Sequence, residues 1–105
     1  PWHRDVAMNL NNLGAVALRR GDLARARALF RRSIQIKEKA FGAKHPDLGA
    51  AMNNLGCVYR LSGQQEKARR IHRQAFQLLR RVVPPDNPRL LSVQANLQRS
   101  TTHVA

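Results

Sequence analysis

The sequence predicts an all-α fold: an α-solenoid in which antiparallel helix pairs stack side by side and a single helix closes the C-terminal end. Three observations predict it. First, the chain repeats itself at a spacing of 42, with "NNLG" running from Asn11 to Gly14 and again from Asn53 to Gly56. Around it, "HRDVAMNLNNLGAVALRRGD" from His3 lies over "HPDLGAAMNNLGCVYRLSGQ" from His45, and a third start, "NPRLLSVQANLQRSTT", begins at Asn87. Second, the apolar residues of each unit recur at helical spacing. Third, alanine and leucine dominate, while aromatics are limited to Trp2, Phe30, Phe41, Tyr59 and Phe76. That composition favours close-packed helices over a sheet. A repeat of this length signals supersecondary units that bury their faces against one another.

The elements follow in order, at roughly 4–20, 22–41, 46–62, 64–83 and 88–101. Val6, Leu10, Leu13 and Ala17 form the apolar stripe of the first helix, and Leu48, Met52, Leu55 and Tyr59 that of the third. Gly21 and Gly63 fit the left-handed residue that ends a helix. Asp22 is placed to cap the second helix, whose stripe is Leu23, Ala26, Phe30 and Ile34; the fourth reads Ile71, Ala75, Leu78 and Val82. The second and fourth helices stop at the breakers "FGAKHP" and "VVPPDNP". Pro46 and Pro88 suit the first position of a helix, which makes His45 and Asn87 the caps. The units are therefore 1–44, 45–86 and a closing helix with tail, 87–105.

Gly14 and Gly56 fall inside helices, where glycine costs ~1 kcal/mol against alanine. Their recurrence in register predicts that the paired helix crosses there and leaves no room for a side chain. Leu13, Leu55 and Leu97 align, as do Asn12, Asn54 and Asn96. In the last unit Gln94, Gln98 and Thr101 replace Leu10, Gly14 and Ala17, so the outer side of the closing helix turns polar while Leu90 and Leu97 still point inward. That is the pattern of a terminal cap. The start carries no such cap and no initiator methionine, so the expectation is the C-terminal end of a longer array.

Nineteen basic residues, fifteen of them arginine, face six acidic ones, for a formal net charge of +13. Such a surface attracts anions. The acidic residues sit at helix starts (Asp5, Asp22, Asp47, Glu66), in a loop (Asp86) or singly within a helix (Glu38), which is largely capping chemistry. His3 and His45 are helix-start residues as well, and His72 reads as a satisfied core or boundary histidine. Cys57 is the single cysteine; it excludes an internal disulfide and fits a reducing, cytoplasmic location. No phosphate loop, CxxC pair or HExxH motif occurs, and no apolar run approaches the ~20 residues of a membrane span. We therefore expect no enzyme, no cofactor and no metal site.

These residues resemble the tetratricopeptide repeat. Its spacing of a large apolar residue, Leu-Gly, an aromatic, Ala and Phe appears as Leu10, Leu13-Gly14, Ala17, Ala26 and Phe30. It returns as Met52, Leu55-Gly56, Tyr59, Ala68 and His72. Ala17 and His72 depart from the pattern. The family's usual period is about 34; the longer unit here, opened by "HPD" and carrying "NNL", is similar to the kinesin light chain type. The resemblance implies two units and a capping helix, with first helices lining a concave face and second helices a convex one.

Carried over by position, the resemblance implies a peptide groove of Asn11, Asn12, Ala15, Leu18 and Arg19, with Met8 at its edge. The second unit supplies Asn53, Asn54, Cys57, Arg60 and Leu61, beside Ala50, and the third Ser92 and Asn96. Asparagine both donates and accepts, so it can pair with the backbone of an extended peptide whatever that peptide's sequence; Asn12, Asn54 and Asn96 then form a ladder. The alternative is that these amides bind neighbouring helices and hold the stack together. The family's clamp for two carboxylates is not matched, because Asn11, Ala15 and Ser92 stand where lysine, asparagine and lysine are expected.

The expected function is a noncatalytic scaffold holding an extended, acidic peptide or partner segment in the groove, with apolar pockets near Leu18, Cys57 and Leu61. Arg19 and Arg60 favour acidic segments. A rival is RNA or another polyanion bound by the convex face, where Arg27 and Arg69, Arg31 and Arg73, and Lys39 and Arg81 share register and Arg80 adds to the charge. Twelve of the nineteen basic residues, Lys37 among them, fall on the second and fourth helices. A third reading is self-association through the N-terminal face around Trp2 and Val6.

Overall fold

The computed structural model describes residues 2–102, and among their side chains those of residues 6 and 8–99. Five helices follow one another: α1 (Trp2–Arg19), α2 (Leu23–Phe41), α3 (Pro46–Leu61), α4 (Gln65–Val82) and α5 (Pro88–Thr102). They form an all-α solenoid, and the described residues contain no strand.

The helix ends follow local chemistry. Gly21 and Gly63 adopt φ of 78° and 80°. At each, the next residue donates back five positions, Asp22 N to Ala17 O at 2.9 Å and Gln64 N to Tyr59 O at 2.8 Å. These bonds satisfy carbonyls the helix leaves open, and only glycine takes the left-handed backbone cheaply. Asp22 Oδ1 accepts from Arg25 N at 3.3 Å, His45 Nδ1 from Asp47 N at 3.1 Å, and Asn87 Oδ1 from Arg89 N at 2.9 Å. All three caps expected from the sequence are formed.

Helices pair where glycine lets them touch. A β-carbon on Gly14 would meet Cε1 of Phe30 at 2.8 Å, and one on Gly56 would meet Nε2 of His72 at 2.6 Å. Gly49 makes a third crossing, with Cγ of Leu79 at 2.6 Å from such a carbon. The glycine reading is therefore borne out. Around the crossings sit two core clusters. Ala17, Ala26, Phe30, Leu55 and Val58 join α1, α2 and α3, and Ala75, Leu79, Leu90 and Val93 join α4 to α5.

Two stripes differ from expectation. In α1, Ala17 is buried but Val6 and Leu13 are 37% and 49% exposed, because no helix among the described residues covers the face that α2 covers on α3. In α4 the buried stripe is Ala68, His72, Ala75 and Leu79; Val82 is exposed and Ile71 and Leu78 are half-buried. The helix is rotated so that His72 and Leu79 meet the two glycines of α3.

The stack has a curvature that the contacts reveal. Consecutive first helices, α1 with α3 and α3 with α5, approach within 8 Å between Cα atoms, whereas α2 and α4 do not. First helices therefore line the inner side and second helices the outer. Arg27 and Arg69, and Arg31 and Arg73, thus lie on helices whose Cα atoms stay more than 8 Å apart. On the outer side of a curved stack the second helices splay apart, with α3 wedged between them.

Candidate functional site

The inner side is built from residues that the asparagine pairs place at each helix contact. Asn54 Nδ2 donates to Asn11 Oδ1 at 3.5 Å, and Asn96 Nδ2 donates to Asn53 Oδ1 at 2.8 Å. Each bond joins the first asparagine of one unit's pair to the asparagine at the second position of the next unit, Asn54 or Asn96, an offset of 43 against a repeat of 42. Neighbouring first helices are thus staggered by one residue, and the doubled "NN" supplies an acceptor forward and a donor back. Asn53 Nδ2 also donates to Ser92 Oγ at 3.1 Å, and Asn96 Nδ2 lies 3.6 Å from Cys57 Sγ.

Burial sorts the groove residues. Asn53 and Asn96 are buried, at 8% and 7% exposure, so their amides act between helices. Asn11, Ala15, Leu18, Asn54, Cys57 and Arg60 are half-buried, while Met8, Asn12, Arg19, Leu61 and Ser92 are exposed. The partners of the asparagines were not legible from same-register alignment, which placed Asn12, Asn54 and Asn96 in one ladder. The signal was present in the doubling of the asparagine, since a single residue per repeat cannot bridge a one-residue stagger.

The two ends of the inner side differ electrostatically. At the start of α3 and α5, Arg89 Nη1 meets Asp47 Oδ1 at 2.8 Å, and His45 Nδ1 lies 3.9 Å from the other oxygen of Asp47. Phe41 stacks on His45 with ring centroids 4.5 Å apart. Lys37 of α2 is buried here, not displayed on the outer surface as its position in the basic run implied. Its ammonium is pushed below the usual lysine range by burial, opposed by Asp47 and reinforced by Arg89.

At the other end of α3 stands Arg60. Its Nε is buried without a hydrogen-bond partner, and no described carboxylate forms an ion pair with it. Below it lies His72, fully buried, with neither Nδ1 nor Nε2 hydrogen-bonded to the protein. Burial, then the charges of Arg60 and Arg99, hold its pKa down at about 4. The expectation of a satisfied histidine is corrected: the ring fills the slot that Phe30 fills on Gly14, where shape is complementary but no protein group hydrogen-bonds to its nitrogens.

On the outer helices Arg27, Arg31, Arg73, Arg80 and Arg81 are exposed, whereas Arg69 is half-buried and paired with Glu66 at 2.8 Å. Two clefts lie away from Leu18, Cys57 and Leu61. One, of about 690 Å³, is flanked by Val6 and the C-terminal half of α2; the other, of about 500 Å³, lies between Phe76 and the outer side of α5.

Residues 5–81 match the family model described as tetratricopeptide repeat. No curated protein matches the chain closely enough to count as a relative. The match covers α2 and α3, most of α1 and all but the last residue of α4, and ends before α5.

Proposed function

The chain belongs to the tetratricopeptide repeat family, a family of protein-interaction modules, and from that premise we propose that its inner groove holds an extended, acidic segment of a partner protein. The observation that carries this reading is Arg60, a half-buried cation on the groove side with no counter-ion among the described residues. A guanidinium held this way gains most from a carboxylate that arrives with the ligand. Asn12 is exposed and Asn11 and Asn54 are half-buried on the same first helices, while Asn53 and Asn96 link α3 to α5. The role is noncatalytic, and no described helix is long and apolar enough to cross a membrane.

We read the 42-residue spacing as that of the kinesin light chain type, with units at 1–44 and 45–86 closed by 87–105, and the location as cytoplasmic. The polyanion reading is weaker. The outer arginines are divided between two helices whose Cα atoms do not approach within 8 Å, and the rings that fall among them, Phe30 and Phe76, are buried and half-buried, which leaves no exposed ring there to stack a base.

Capture from nuclease-treated lysate tests the proposal with four baits: wild type, Asn12→Ala/Asn54→Ala, Arg60→Gln, and Arg69→Glu/Arg73→Glu. Protein partners that survive nuclease and disappear with the asparagine and Arg60 changes support the groove. Partners lost only with nuclease, or only with the outer charge reversal, remove it in favour of the outer arginines.

A further inference from the structure

The seam between α3 and α5 is a ladder of polar pairs, and its last rung carries two like charges. From the N-terminal end the rungs are Asp47 with Arg89 at 2.8 Å, Asn53 with Ser92 at 3.1 Å, and Asn53 with Asn96 at 2.8 Å. Asn96 also lies 3.6 Å from Cys57. The partners advance together along both helices, so α3 and α5 run in the same direction. Three residues on from Cys57 and Asn96, about one turn along each helix, stand Arg60 and Arg99.

His72, buried on Gly56 one turn before Arg60, registers both charges. Its pKa is held at about 4 by burial first, then by Arg60 from α3 and Arg99 from α5. Two guanidinium charges from different helices therefore act on one point. On α4 itself, Arg69 stands one turn before His72 and is paired with Glu66 at 2.8 Å. Arg60 has no ion-pair partner among the described residues, and its Nε is buried without a hydrogen bond. Asp47 supplies the carboxylate at the first rung; no described carboxylate supplies one to Arg60 at the last.

Two cations so placed repel, and an anion between them removes the repulsion and gains charge-assisted hydrogen bonds from both. A carboxylate has two oxygens, which a single guanidinium engages in full. A phosphate monoester has three acceptor oxygens and nearly two charges, enough for guanidiniums on two helices. We infer that Arg60 and Arg99 form a seat for a phosphate monoester carried by the ligand peptide, a phosphorylated serine or threonine side chain. That a peptide carries the phosphate rests on the groove reading; the seat itself does not.

The probes are inorganic phosphate and three otherwise identical short peptides of alanine and glycine, with phosphoserine, glutamate or serine at the centre. Arginine Nε–H resonances of the isotope-labelled whole chain follow each titration. Inorganic phosphate shifts Arg60 and Arg99 ahead of the other arginines. The phosphoserine peptide binds at least about tenfold tighter than the glutamate peptide or inorganic phosphate, and the serine peptide does not bind. Arg60→Gln and Arg99→Gln each weaken it at least about fivefold, whereas Arg27→Gln/Arg31→Gln, at exposed positions of α2, weakens it less than about twofold. Arg99 is exposed, so its substitution keeps the fold, which circular dichroism checks. Equal weakening by the α2 variant overturns the inference in favour of unspecific charge, and equal binding of the glutamate peptide overturns it in favour of a carboxylate. A phosphoserine peptide that binds no tighter than inorganic phosphate overturns the peptide as the source. Tight binding that ignores Asn12→Ala/Asn54→Ala but needs Arg60 and Arg99 supports the seat while counting against the asparagine groove.

Discussion

Replacing His72 with phenylalanine should stabilise this protein, and stabilise it more as the pH falls. The ring at 72 is fully buried on Gly56, and its two nitrogens have no protein hydrogen-bond partner. Burying a polar group unpaired costs about 1–3 kcal/mol on mutational scales. Phe30 occupies the equivalent slot on Gly14 with contacts of 2.8 to 3.0 Å to a β-carbon placed there, so a six-membered ring is already accommodated by this crossing. The larger ring at 72 returns up to ~1 kcal/mol in crowding. The net gain at neutral pH is about 1–2 kcal/mol, or roughly 5–10 °C in melting temperature for a domain of this size.

The pH dependence follows from the histidine's pKa, about 4 in the folded chain against 6.5 when exposed. Between these values the unfolded state binds more protons than the folded one, so the wild type is fully stable above about pH 6.5 and loses stability as the pH falls towards 4. The loss reaches about 3 kcal/mol and levels off below pH 4. His72→Phe removes that component. Urea denaturation of both proteins at pH 7, 6, 5 and 4 measures it directly: the two stability curves should diverge on acidification. Parallel curves refute the argument, because they mean the imidazole is hydrated or paired in the native state.

Gly14→Ala should destabilise by about 1–3 kcal/mol in spite of alanine's helix propensity, because the new carbon would lie 2.8 Å from a ring that is itself fully buried. Gly21→Ala meets open space but a φ of 78°, so its cost comes from backbone strain alone, ~1–2 kcal/mol; thermal melts of the two variants separate packing from conformation. Asn96→Ala removes the donor to Asn53 Oδ1 and should cost about 1–2 kcal/mol. It should also raise amide exchange in α5 ahead of α1 and α2, and uniform exchange across all five helices would show that the bond does not hold the closing helix.

The helices were legible because their signals are local. Gly21 and Gly63 punctuate the chain through backbone sterics, Asp22, His45 and Asn87 cap through their own side chains, and Pro46 and Pro88 fix a first turn, none of which needs a distant partner. Gly14 and Gly56 were legible as crossings because they recur in register, although Gly49, which appears once, was not. The stripe of α4 was read with Ile71, Leu78 and Val82 facing the core since those residues are the more apolar. The pairing with Gly49 and Gly56 instead turned Leu79 and a histidine inward, and steric fit overrode hydropathy.

The candidate site divides the same way. That first helices carry an asparagine row was fixed by the letters; which asparagine meets which was fixed by a one-residue stagger between helices that no linear register displays. Sequence placed Lys37 in a basic run, and only packing buried it between Asp47 and Arg89. Sequence counted the arginines, and only the tertiary packing decided that those of α2 and α4 stand apart while Arg60 has no ion-pair partner among the described residues. Secondary structure and its punctuation are short-range consequences of backbone conformation, so the chain determines them residue by residue. Burial, charge pairing and the exposure of α1 depend on how rigid helices settle against one another, and that is decided by the tertiary contacts alone.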